Sequence, residues 1–129
     1  MKLLTDSDFL ISLVKLDDAN HNKSIQLFKK IEKSDLTALN LVMQESTTVM
    51  SKRWGMIAAK TFYGKVTRLI QETILLNEEI EHIAWKIFLS QTKKGTSFID
   101  CANMATCEYY KLDGILSFDE VYKDKRIKT

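Results

Sequence analysis

Five acidic residues carry the chemistry most legible in this chain: Asp6, Asp8, Glu45, Asp100 and Asp119. Asp6 and Asp8 follow the apolar run at residues 1–5, and Asp119 follows another at 115–118. Glu45 comes just after a third run, residues 36–42, in what reads as the first turn of the next helix. Asp100 opens a helix, three residues after Ser97. Carboxylates gathered in one place repel each other unless a cation neutralises them. An all-oxygen ligand set suits a hard ion such as Mg²⁺ or Mn²⁺. Such ions activate water and stabilise the leaving oxygen of a phosphodiester.

These acids need a scaffold that brings distant segments to one edge. Apolar runs at residues 1–5, 36–42, 73–76 and 115–118 read as strands. Helical patterns over residues 9–16, 20–33, 43–54, 56–72, 78–91 and 97–112 alternate with them. Ser24, Leu27, Phe28 and Ile31 share one helix face, Ala58, Phe62, Val66, Leu69 and Ile70 another, and Ile80, Ile83, Ala84, Ile87 and Phe88 a third. Strands alternating with helices predict a mainly parallel α/β sheet. Ligands of such sheets bind beyond the carboxyl ends of the strands.

Bulk composition agrees. The chain has 129 residues, 45% hydrophobic and 28% charged, with no proline and four glycines. These values predict a single domain over residues 1–129 with a real core. No apolar run approaches the length of a membrane span, and the opening residues meet charge too soon for a secretory signal, so a cytoplasmic protein is expected. Cys101 and Cys107 read as reduced, buried thiols, too few for zinc. Net charge is only +2, but setting aside Asp6, Glu45, Asp100 and Asp119 makes it +6, which suits a polyanionic substrate around an acidic pocket.

In these segments the sequence resembles a known family. The stretch Leu3-Leu4-Thr5-Asp6-Ser7-Asp8-Phe9-Leu10-Ile11 is similar to the opening motif of PIN domains. Val42-Met43-Gln44-Glu45-Ser46 resembles their second acid, and Phe98-Ile99-Asp100-Cys101-Ala102-Asn103-Met104-Ala105-Thr106 their third. Leu116-Ser117-Phe118-Asp119-Glu120-Val121-Tyr122 resembles their closing box. The departures are Asp8, where many members carry Asn or Ser, and Asn103, where some carry another acid. The resemblance implies a Rossmann-like sheet of order 3-2-1-4-5, its last strand vestigial here because residues 123–129 are short for it. It implies a Mg²⁺- or Mn²⁺-dependent endoribonuclease leaving a 5′-phosphate and a 3′-hydroxyl. It also implies a homodimer and, for small VapC-type members, a cognate antitoxin.

On this reading Asp6, Asp100 and Asp119 hold the metal directly or through water, and Glu45 ligates it or acts as a base. Asp8 supports the ligands or substitutes for one. Asn103, one helical turn from Asp100, orients a ligand or a water. Ser117 hydrogen-bonds a carboxylate or a phosphate. Each acid has a plainer alternative: Asp6 as a helix cap, Asp100 as half of a capping box with Ser97, Glu45 as a partner of the helix dipole, Asp119 as the start of a turn. Lys52, Arg53, Lys60, Lys65 and Arg68 are the candidate RNA-guiding strip, with Lys123, Lys125, Arg126 and Lys128 forming a basic tail. Trp54 reads as a helix-end anchor rather than a base-stacking platform, and Trp85 as cover for the core or an interface. His21 and His82 are expected at the surface. Met50, Ile57, Phe62 and Tyr63 could supply a dimer interface. The competing functions are an inactive PIN-like RNA- or protein-binding module and a different metal-dependent enzyme, a phosphatase or DNA nuclease.

Overall fold

The computed structural model describes residues 1–127. Four short strands form its centre: β1 (Lys2–Thr5), β2 (Asp35–Leu39), β3 (Glu72–Ile74) and β4 (Gly114–Leu116). All pair in parallel, in the order β3-β2-β1-β4. β1 is therefore central, with Leu3 beside Leu36 on one flank and Gly114 on the other. Leu3, Leu4, Leu36, Ala38, Leu39, Ile115 and Leu116 are buried in these strands, as expected where helices cover a parallel sheet. The two buried threonines are satisfied locally: Thr5 Oγ1 donates to the Thr37 carbonyl and Thr37 Oγ1 to the Leu3 carbonyl, both at 2.9 Å.

Six helices surround the sheet: α1 (Ser7–Val14), α2 (His21–Lys30), α3 (Asn40–Trp54), α4 (Met56–Leu69), α5 (Glu78–Leu89) and α6 (Phe98–Tyr110). The apolar stripes read from the sequence face inward, with Leu27, Phe62, Val66, Ile80 and Ala84 all buried. α5 begins where the Asn77 side chain accepts the Ile80 amide, and α3 and α4 are separated by Gly55 at φ +94°. Cys101 and Cys107 are buried free thiols. Among the described residues no helix is long and apolar enough to cross a membrane.

Several expectations need correction. The fifth strand shrinks to one parallel bridge between Ile115 and Arg126, because residues Glu120–Lys125 coil into a 3-10 turn first. Lys128 and the Lys123 side chain, parts of the expected basic tail, lie outside what the structure describes. β2 ends at Leu39 rather than 42, since Val42, Met43, Ser46 and Met50 bury at helical spacing. Glu45 is thus in the second turn of α3, which removes the helix-dipole argument for it. His21 is half-buried, its Nδ1 2.8 Å from the Ser12 carbonyl, whereas His82 is exposed. Met50 and Phe62 pack inward at 2% and 0% exposure, so they cannot serve an interface. Ile57 and Tyr63 do face solvent, at 85% and 53%. Trp54 receives Lys15 Nζ 4.8 Å from its ring centre, and Trp85 packs on Phe98 at 4.4 Å.

Candidate active site

The backbone places Asp6 first. It follows the last residue of β1, its amide donates to the Leu116 carbonyl at 3.0 Å, and its carboxylate caps α1 through Ser7 N at 2.8 Å. The start of α1 thus fixes the acid beside the end of β4. Asp6 is only 6% exposed. Its Oδ1 also accepts from Asn103 Nδ2 at 3.2 Å, while Tyr122 OH donates to its Oδ2 at 2.8 Å.

The other acids reach Asp6 through hydroxyls. Ser117 Oγ lies 3.1 Å from both oxygens of Asp8 and 3.3 Å from Asp6 Oδ2. Asp8 is further held by the Phe118 amide at 2.9 Å. Ser7 Oγ donates to Glu45 Oε1 at 2.5 Å. Asp100 divides its carboxylate between two tasks. Oδ2 accepts the Ser97 amide at 3.0 Å while Ser97 Oγ accepts the Asp100 amide, a complete capping box, and Oδ1 lies 3.3 Å from Tyr122 OH. The structural alternative and the site therefore occupy different oxygens of one side chain.

Asp119 stands further out. Its Oδ1 accepts the Val121 amide at 3.0 Å, its own amide donates to Ser117 Oγ, and its residue is exposed. It lines a cleft with Lys93, Lys94 and Gly95, the loop between α5 and α6. On the opposite flank Glu45 shares a shallow depression with Lys52 and Ile99. Lys52, Arg53, Lys60, Lys65 and Arg68 are all exposed.

The electrostatics are those of an acid cluster whose burial and mutual repulsion disfavour its charged form. Burial, then the neighbouring Asp8, pushes the Asp6 carboxyl up to about 6. Burial also raises Asp8, with Asp119 adding to it. The Tyr122 hydroxyl is pushed above its ordinary range by burial and by the negative charge of Asp6. The ion pairs Lys2–Glu72, Lys15–Asp17 and Arg126–Glu120 involve no candidate site acid. An all-oxygen cluster with raised carboxyl pKa values is what a hard divalent ion would relieve. Among the described residues, however, no three acids, histidines or cysteines converge on one point. The residues fit an ion held by one or two carboxylates with water completing its shell, as Mg²⁺ commonly is.

Sequence reasoning assigned no role to Tyr122, which stands one turn after Asp119 inside the motif already noted. The spacing was visible, but nothing local announces that residues 120–125 fold back over the acids.

A parallel four-stranded sheet, with acids beyond the carboxyl end of β1, is the arrangement in which α/β proteins hold ligands in a strand-end crevice. Residues 3–128 match the PIN domain family, and the chain belongs to it. No curated protein sequence matches it. Among solved structures it is similar to VapC20 of Mycobacterium tuberculosis, described as a sarcin–ricin loop cleaving toxin, with TM-score 0.81, 19% identity, and 93% and 92% of the two chains covered. It is also similar to VapBC2 of Rickettsia felis, solved bound to a promoter DNA fragment, with TM-score 0.72, 9% identity, and 97% and 93% covered. FitAcB of Neisseria gonorrhoeae gives TM-score 0.68, 12% identity, and 92% and 88% covered. At these identities the likeness is one of fold.

Proposed function

We propose that this PIN domain is a divalent-metal-dependent endoribonuclease and the toxin of a toxin–antitoxin pair, acting in the cytoplasm. The observation that carries the reading is the buried, uncompensated Asp6, linked through single hydroxyl groups to Asp8 and Asp100 and through Ser7 to Glu45. Asp6 and Asp100 are the principal metal-binding residues. Glu45 and Asp119 approach from either side, to ligate or to assist the attacking water. A bound Mg²⁺ or Mn²⁺ would supply Lewis-acid charge at the scissile phosphate and ease deprotonation of the attacking water. Asp8 and Ser117 form the polar support beneath Asp6, and Asn103 holds its Oδ1. Lys52 lies in the Glu45 depression, where it would meet a backbone phosphate, and Arg53, Lys60 and Arg68 would extend that contact.

The fold similarity to VapC20 and VapBC2 supports the toxin assignment, and the exposed Met56, Ile57 and Tyr63 on α4 support a homodimer. Purified protein with Mn²⁺ is expected to cleave RNA in preference to single-stranded DNA or a phosphomonoester. Asp6→Asn is expected to reduce the rate by about 10²-fold or more, the scale of losing an electrostatic catalytic group. Equal cleavage by the variant, or none by wild type with any divalent ion, would overturn the assignment. One observation favours a second reading, an inactive RNA- or protein-binding module: three acids do not meet at one point among the described residues. That reading predicts no thermal stabilisation by Mn²⁺.

A further inference from the structure

Tyr122 is buried at 4% exposure on the 3-10 turn, far in sequence from every candidate site acid except Asp119. Its hydroxyl has three neighbours: Asp6 Oδ2 at 2.8 Å, Asn103 Nδ2 at 3.0 Å and Asp100 Oδ1 at 3.3 Å. A phenol has one proton to give, and the amide group of Asn103 is a donor, so the phenol oxygen accepts there. The proton goes to the nearer carboxylate, Asp6. The Asp100 contact is then oxygen against oxygen with no proton between them. Ser117 faces the same constraint. Its single proton serves Asp8, the nearer acid, and leaves Asp6 Oδ2 with an unused lone pair. One oxygen of Asp6, with a lone pair unused, and one of Asp100, with no proton from the phenol, are therefore brought to the same hydroxyl.

We propose that Tyr122 is a positioning residue for the divalent cation, holding Asp6 and Asp100 side by side so that one oxygen of each can take the same ion. Asn103 completes the clamp by donating to both Asp6 Oδ1 and Tyr122 OH. The turn that delivers Tyr122 is itself anchored, because Arg126 donates to the Phe118 carbonyl at 3.2 Å and pairs with Glu120 at 3.0 Å. This inference rests on the metal-site reading above.

The test is Mn²⁺ binding by calorimetry on the full chain, wild type against Tyr122→Phe, with melting in EDTA as the control for folding. Phenylalanine keeps the buried ring and removes only the hydroxyl. The expected result is 10- to 100-fold weaker Mn²⁺ binding, the usual effect of losing a group that orients a metal ligand. Melting in EDTA should be little changed, and cleavage should recover when Mn²⁺ is raised to saturation. A merely structural role would lower the melting temperature without recovery at high Mn²⁺. Unchanged affinity would make Tyr122 a core filler, and tighter binding would make its hydroxyl a competitor of the ion; either result overturns the proposal. Wild type that takes up no Mn²⁺ would overturn the metal site itself, and this inference with it.

Discussion

Asp6 is where residue-scale energetics and chemistry oppose each other. Its carboxyl titrates near 6 in the fold against an ordinary 3.8, chiefly because burial disfavours the charged form. A carboxyl raised on folding stabilises the native state below its unfolded pKa, and that contribution is lost as pH rises through the folded value. Metal-free protein is therefore expected to be more stable at pH 5 than at pH 7.5, with Asp8 acting in the same direction. The Asp6 share is on the order of 2 kcal/mol. Melting curves in EDTA check this, and Asp6→Asn should flatten the dependence and melt higher than wild type at neutral pH. Mn²⁺ should bind more tightly as pH rises past 6, because protons compete for the same oxygens. A metal-free protein that is most stable at neutral pH would contradict the assignment.

At the scale of elements, the closing segment matters more than its length suggests. Gly114 begins β4, and a Cβ there would lie 2.6 Å from Ile127 Cδ1 and 3.0 Å from the Lys125 carbonyl. Glycine is what lets the end of the 3-10 turn lie against the strand, and that closeness keeps Tyr122 over the acids. Gly114→Ala should cost about 1–3 kcal/mol, as overpacking does, and should weaken Mn²⁺ binding although residue 114 touches no acid. Chemical denaturation and the Mn²⁺ titration together measure both effects. Stability loss with unchanged metal affinity would separate the turn from the site. The capping box at α6 argues a related point, because the motif that starts the helix also aims Asp100, whose two oxygens face different ways.

For the whole molecule, the proposed homodimer turns on α4. Met56, Ile57 and Tyr63 are 58%, 85% and 53% exposed on α4, apolar surface that a second copy could cover. If α4 forms the proposed homodimer, Ile57→Asp should shift the protein to monomer in sedimentation velocity while leaving its melting temperature nearly unchanged. An unchanged oligomeric state would move the interface elsewhere. Charge acts on the same scale, since setting aside Asp6, Glu45, Asp100 and Asp119 takes the net charge from +2 to +6, which suits a polyanionic substrate.

Much of this was legible without coordinates. Asp6-Ser7-Asp8, Asp100 and Asp119 each follow or open an element, and alternating strand and helix patterns place such positions at strand ends; Glu45, in the second turn of α3, does not follow that rule. Periodicity is a local property, so it identified the buried faces of α2, α4 and α5 and the capping box at Ser97. It misplaced the start of α3, because Val42 and Met43 continue an apolar run equally well in either structure and only packing chose the helix. Tertiary structure alone decided how the acids meet. Tyr122, Ser117 and Ser7 join them by hydrogen bonds spanning 22 to 116 positions in sequence, and no local pattern encodes a contact of that range. The collapse of the fifth strand to one bridge has the same origin: the 3-10 turn exists because the Tyr122 ring and hydroxyl have a buried place to go, which only the assembled sheet and α6 provide.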